Sequence, residues 1–182
     1  MAIHAMVDIE TLGTKEDAVI LTVGGVKFDP YTDKDPYDRF LMAIDIDEQT
    51  ANGRVVDEGT LEWWGTQPAE IQEEAFCEEG RVSVDEFCKT FTKWLVGCDK
   101  KWAQGPRFDY GILEHFYAQF GYHKNWFYWQ EQDARTLFSL VPGDPRKNLE
   151  GVQEGHHSAV EDAVVQAKAV QKCFKHFNIN EW

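Results

Sequence analysis

Ile3-His4-Ala5-Met6-Val7-Asp8-Ile9-Glu10 alternates strictly, and its reading decides the fold. Ile3, Ala5, Val7 and Ile9 fall on one side of a strand, and His4, Met6, Asp8 and Glu10 on the other. Asp8 and Glu10 therefore project from one face, opposite to Val7 and Ile9. On a solvated face they would be ordinary surface charges. The next β-rich stretch, Ala-Val-Ile-Leu-Thr-Val-Gly-Gly-Val-Lys-Phe at 18–28, is apolar almost throughout. The first strand thus reads as central and covered on both faces. Two carboxylates ~4 Å apart at an effective dielectric near ~20 repel by about 4 kcal/mol. A divalent cation is the usual compensation.

Outward from that strand, Thr11-Leu12-Gly13-Thr14 reads as a turn, and Gly24-Gly25 as a bulge site within the second strand. Asp29-Pro30 and Asp33-Lys34-Asp35-Pro36 punctuate a turn before a third strand at 38–46. These three strands form an antiparallel meander. Pro68 opens a short acidic helix to about Glu78. Ser83-Val84-Asp85-Glu86 is a capping box before Val84, Phe87, Cys88, Phe91, Trp94 and Leu95, which recur at helical spacing. A short strand at 100–104 ends at Gly105-Pro106, and a helix follows from about Asp109 until Gly121 stops it. Trp126-Phe127-Tyr128-Trp129 reads as a further strand, Asp133 as the N-cap of a helix over 134–140, and Ser158 to His176 as the last helix. The fold class is α/β: a mixed sheet, antiparallel meander plus parallel strands, flanked by helices.

The 182 residues suit one domain, 1–182. Hydrophobic residues make up 43% and aromatic residues 14%, which argues against wholesale disorder. No uncharged apolar run approaches the ~18 residues of a membrane span, and Asp8 arrives too early for a signal peptide. The expected location is cytoplasmic, with no membrane partner. Cys77, Cys88, Cys98 and Cys173 match no zinc-ligand spacing and read as reduced thiols, mostly in the core. The net charge of −14 excludes a polybasic nucleic-acid binder. Any nucleic-acid function must be local, in a metal-neutralised pocket that holds a few nucleotides.

Further acidic residues fall at the ends of elements. Asp109 sits at the strand-to-helix junction Gly105-Pro106-Arg107-Phe108-Asp109, where alone it would be a helix cap. Asp162 lies in the first turns of the last helix, where alone it would be a dipole partner. In Gly155-His156-His157-Ser158-Ala159-Val160-Glu161-Asp162-Ala163, His157 and Asp162 at i and i+5 bracket the loop-to-helix transition.

Asp-Ile-Glu-Thr-Leu-Gly near the start, Phe-Asp-Tyr in the middle and His-Ser-Ala-Val-Glu-Asp-Ala near the end resemble the three motifs of the DEDDh 3′→5′ exonuclease superfamily. That group has a ribonuclease H-like fold and includes the proofreading ε subunit, RNase T and oligoribonuclease. The Leu-Glu-Trp-Trp segment at 61–64 and the Asp-Ala-Arg-Thr-Leu-Phe segment at 133–138 are most similar to the small phage-type 3′→5′ exonucleases of T-even phages. The resemblance spans residues 6 to about 175.

It implies a metal-dependent 3′→5′ exonuclease using two Mg²⁺ or Mn²⁺ ions. Asp8, Glu10, Asp109 and Asp162 match the metal ligands, with Asp8 bridging, Glu10 and Asp162 completing the water-activating site, and Asp109 reaching the second ion through water. His157 matches the general base, a role suited to a pKa near neutrality. His156 departs from the family's offset, and Glu161 falls at a variable position. The implied substrates are 3′ ends of single-stranded DNA or RNA. Thr11 and Leu12 would meet the terminal nucleotide through backbone groups. Trp63, Trp64 and Phe108 are candidates for stacking on bases, and Arg135 and the Arg146-Lys147 pair for phosphate contacts; core burial or ion pairing is the competing reading for each. In a phage the setting would be the infected host cytoplasm. A homodimer is compatible with the tryptophan-rich segments. A catalytically idle module binding a polymerase or other protein, and a phosphodiesterase of nucleotide-sized substrates, stand as alternatives.

Overall fold

The computed structural model describes residues 1–149 and 158–181. Among the described residues five strands form one sheet: β1 (His4–Thr11), β2 (Ile20–Phe28), β3 (Tyr37–Ala43), β4 (Lys100–Ala103) and β5 (Glu131–Asp133), in the order β3-β2-β1-β4-β5. β1 is central. It pairs antiparallel with β2, from His4 opposite Phe28 to Thr11 opposite Ile20, and parallel with β4 from His4 to Met6. β2 pairs antiparallel with β3, and β4 parallel with β5. The mixed sheet expected from the order of elements is present.

Helices cover both faces of β1. Ala5, Val7 and Ile9 point into a core built with α4 (Val84–Trp94) and α5 (Pro106–Gln119), whose Phe87, Phe91, Leu113 and Phe116 are buried there. Met6 points the other way, into a core with Ala163, Ala167, Val170 and Phe174 of α7 (Ala159–His176). The period of two does the rest: Asp8 and Glu10 continue the Met6 row and emerge beneath the start of α7. A third, smaller core joins Leu12, Val19 and Leu21 to Trp64 and Ala75. It packs α2 (Glu58–Gly65) and α3 (Ala69–Phe76) against the end of β1.

Several local readings are corrected. The third strand ends at Ala43, and Asp45 caps α1 (Ile46–Ala51) by accepting the Glu48 N–H at 2.7 Å. A strong side-chain cap overrides the apolar run there. No strand lies at 126–129. Trp126 is fully buried in the core, while Phe127 and Trp129 stack face to face at 4.4 Å on the surface. Residues 128–130 form a 3₁₀ turn, and pairing starts at Glu131. Aromatic residues favour strands, but here they satisfied one another outside the ladder. α5 begins at Pro106 behind a left-handed Gly105 (φ 117°), so Asp109 lies within the first turn and is not the cap. α6 (Ala134–Phe138) is shorter than expected, and Asp133 caps it through the Arg135 N–H at 3.0 Å. The irregularity in β2 falls between Gly25 and Lys27 on the β3 side, while Gly24 keeps register opposite Asp8. All four cysteines are free, and only Cys77 is exposed. Among the described residues no helix is long and apolar enough to cross a membrane.

Candidate nuclease site

The carboxylates meet at the C-terminal end of β1. Oxygen atoms of Asp8, Glu10 and Asp162 all lie within 4.8 Å of one another. β1 supplies the first two from one face, and the first turn of α7 supplies the third. What lets α7 come so close is Gly24. A Cβ there would lie 2.2 Å from the Ala159 carbonyl carbon and 2.3 Å from the Val160 nitrogen. On the opposite face, Gly25 makes similar room for Trp94.

Asp109 reaches the cluster from α5. β4 stops pairing with β1 at Met6, which leaves later N–H groups of β1 without a strand partner on that side. The Asp109 carboxylate accepts one of them, the Ile9 N–H, at 3.3 Å and is 5% exposed. It thus meets β1 at the residue between Asp8 and Glu10, although it lies a hundred residues away along the chain.

Burial and mutual repulsion make this group costly to ionise. Burial, aided by the Asp162 charge, pushes the Asp8 carboxyl up to about 7, although a hydrogen bond from Gln166 opposes the shift. Burial first, then Asp8, Asp162 and Glu74, pushes Glu10 up to about 8. Asp109 is raised by burial and by Asp8, against backbone hydrogen bonds that favour its charge. A convergent set of buried hard oxygen donors suits a divalent cation. The donor set and its geometry therefore fit the implied metal.

His156 and His157 lie outside the described residues. The remaining candidates divide. Phe108 (37% exposed) and Arg135 line one cleft of about 780 Å³, together with Lys15, Arg107 and Gly105 at the start of α5. Arg135 is already anchored there, donating to the Gln104 carbonyl at 3.0 Å. Trp63 and Trp64 separate by role. Trp63 is 53% exposed, and Trp64 is buried with its Nε1–H donating to the Thr11 carbonyl at 3.0 Å. Leu12 uses both backbone groups inside the fold, donating to Val19 and accepting from Asp57. Thr11 gives its hydroxyl to the Gly13 carbonyl. The carbonyls of these two residues tie α2 and its cap Asp57 to the end of β1. Arg146 is clamped by Asp144, which raises its guanidinium pKa; Asp162 contributes in the same direction, which puts Arg146 within electrostatic reach of the cluster. Lys147 gives its carbonyl to Lys172.

Two contributors escaped the sequence reading. Gln166 donates to Asp8, and Gly24 admits α7. The first had a faint signal: a glutamine four residues after Asp162, inside the buried Ala163–Ala167 stripe. The second was visible only as part of a glycine pair read as a bulge site.

A central strand bearing paired carboxylates is thus joined by one acid from each of two helices on a mixed sheet. Residues 3–174 match the 3′-5′ exoribonuclease Rv2179c-like domain family, and the chain belongs to that family. Its sequence is similar to an exodeoxyribonuclease of Enterobacteria phage T4, 24% identical over 119 residues, which is 59% of this chain and 52% of the phage protein. Its structure is similar to Exonuclease I from Methylocaldum szegediense (TM-score 0.69, 14% identity), covering 99% of this chain and 42% of that one. It is also similar to the nuclease domain of 3′hExo, a DEDDh family member solved bound to rAMP (TM-score 0.66, 13% identity), covering 99% of this chain and 94% of that domain. The chain thus spans about half the phage relative and less than half of Exonuclease I. At these identities the structural likenesses establish the shared fold.

Proposed function

We propose that this chain hydrolyses phosphodiester bonds from the 3′ end of single-stranded DNA or RNA, using two divalent ions and His157 as general base. One observation carries the reading: Asp8, Glu10 and Asp162 converge within 4.8 Å, and Asp109, from a separate helix, accepts the N–H of Ile9 between the first two. Such a cluster is unfavourable for folding unless a cation completes it.

Asp8, Glu10 and Asp162 would hold one ion, and Asp109 would serve the second. Bound there, divalent ions would neutralise charge at the phosphoryl group and lower the pKa of a water so that it can attack as hydroxide. The chain's own residues do the rest. His157, seven residues along from Glu150 and just before α7, would take the proton from the attacking water. Phe108 would stack against a base, while Arg107 and Arg135 in the same cleft would meet backbone phosphate. Trp63, exposed on α2, would offer a second stacking face. With a net charge of −14, a short footprint on a flexible single strand is favoured over a duplex.

The test is incubation with Mn²⁺ and 5′- or 3′-labelled single strands of matched DNA and RNA. Stepwise shortening from the 3′ end is the expected result, and the two sugars compared give the preference. No product from either would return the idle-module reading, and cleavage confined to dinucleotides or mononucleotide esters would return the small-substrate phosphodiesterase. Nanomolar duplex binding in a chelator would contradict the limited footprint.

A further inference from the structure

The buried stripe of α7 is built of alanine, valine, cysteine and phenylalanine, interrupted by Gln166 near the cluster and by Gln171 farther along. Gln166 lies one turn beyond Asp162 on the same helix face and is 6% exposed. Its Nε2 donates to Asp8 Oδ1 at 2.9 Å. Its Oε1 is buried, and no partner for it exists among the described residues. An ionised carboxylate only accepts hydrogen bonds, so Asp8 dictates which end of the amide faces it. The other end is then left without a partner, which an apolar side chain at this position would avoid. Between Ala163 and Ala167, packing alone gives no reason for a glutamine. The feature that gives one is the donor on Asp8.

We propose that Gln166 is a positioning residue: by donating to one oxygen of Asp8 it fixes the rotation of that carboxylate, so that Asp8 meets the cation together with Glu10 and Asp162. This rests on the reading of Asp8 as a metal-holding group. Asp8 is the member of the cluster for which rotation matters most. Its charge acts on both Glu10 and Asp109, and its oxygen lies within 4.8 Å of those of Glu10 and Asp162. A carboxylate free to turn would present its lone pairs to several neighbours in turn. The neutral amide holds it without adding the positive charge that would repel a metal ion, as a lysine or arginine there would. Because Gln166 and Asp162 share one helix, the same rigid element that delivers one ligand orients another, in the manner of hydrogen-bonded groups that surround metal ligands.

The experiment is a Mn²⁺ titration of the full chain, followed by the EPR signal of free Mn²⁺, with wild type, Gln166→Met, Gln166→Leu and Asp8→Ala. Met conserves volume and removes the donor; Leu is the second variant should Met fail to fold. Thermal melting in a chelator reports folding, and kcat and KM are read on a labelled single strand. Gln166→Met is expected to lose ~10–100-fold in Mn²⁺ affinity or in kcat, with KM for the oligonucleotide unchanged and the chelator melting temperature unchanged or higher. Wild-type Mn²⁺ affinity and kcat in a folded Gln166→Met would overturn the proposal, as would a loss confined to melting temperature. Asp8→Ala separates the two levels. If it binds Mn²⁺ as tightly as wild type, the metal-site reading fails, whatever Gln166 does.

Discussion

Gly24 lies under Ala159: where α7 begins, its backbone rests directly on the β2 position opposite Asp8, with no side chain between them. This contact sets the height of Asp162 above the β1 carboxylates. The Gly24→Ala methyl would meet backbone atoms of Ala159 and Val160, which cannot rotate away as a side-chain tip can. Overpacking of this kind costs roughly 1–3 kcal/mol, more where the neighbours are rigid. Gly24→Ala should therefore lower the denaturant midpoint and reduce Mn²⁺ affinity together, as measured by urea unfolding and metal titration. A folded variant with unchanged metal affinity would show that α7 can tilt without moving Asp162.

The cluster makes stability depend on pH in a direction opposite to an ordinary salt bridge. Asp8 and Glu10 have pKa values of about 7 and about 8 in the fold, above their ordinary 3.8 and 4.5. A group whose folded pKa is raised contributes its full share below the unfolded value and loses it as pH climbs through the folded value. In a chelator the melting temperature should therefore fall as pH rises from about 5 to about 9. Mn²⁺ binds the ionised carboxylates, so the stabilisation it adds should grow over the same window. Glu10→Gln should melt higher than wild type in chelator at the alkaline end and gain less from Mn²⁺. A flat profile in the chelator would mean the carboxylates do not repel as their burial requires.

Asp8→Ala should abolish cleavage. His157→Ala should retain Mn²⁺ binding and lose ~10²–10⁴-fold in rate, the usual contribution of a positioned base. His156→Ala is the comparison and should retain most activity. Equal rates for His157→Ala and wild type would move the base elsewhere.

The adjacent tryptophans should respond in opposite ways. Trp64 is buried against Phe76 and donates to the Thr11 carbonyl, so Trp64→Ala should cost ~3–5 kcal/mol in urea unfolding. Trp63 contacts Trp64 edge-on from the surface. Trp63→Ala should leave unfolding nearly unchanged and raise KM for a single strand, by up to the ~1–3 kcal/mol of one base stack. Loss of stability without a change in KM would make Trp63 a packing residue.

Much of this architecture was legible locally. Alternation over 3–10 placed Asp8 and Glu10 on one face, because pleating alternates side chains whatever the strand packs against. Ser83 caps α4 as its spacing requires, accepting the Glu86 N–H at 3.2 Å. Asp162 stands in the first turn of α7 as expected. Misreadings arose where two local preferences competed. At 43–46 an aspartate cap ended a strand that hydrophobicity alone would have continued. At 126–129 four aromatics looked like a strand, yet Trp126 filled the core and its neighbours stacked on the surface.

The chain's residue types and their spacing determined that β1 would carry two carboxylates on one face and that further acids would start α5 and α7, since these depend on periodicity and capping within a few residues. Whether those acids meet was decided by tertiary packing alone. Gly24 had to admit α7, β4 had to end early enough for Asp109 to take the Ile9 N–H, and Gln166 had to arrive beside Asp8. Each of these joins residues a hundred or more positions apart, where local preference carries no information and the close approach of packed backbones sets the distances.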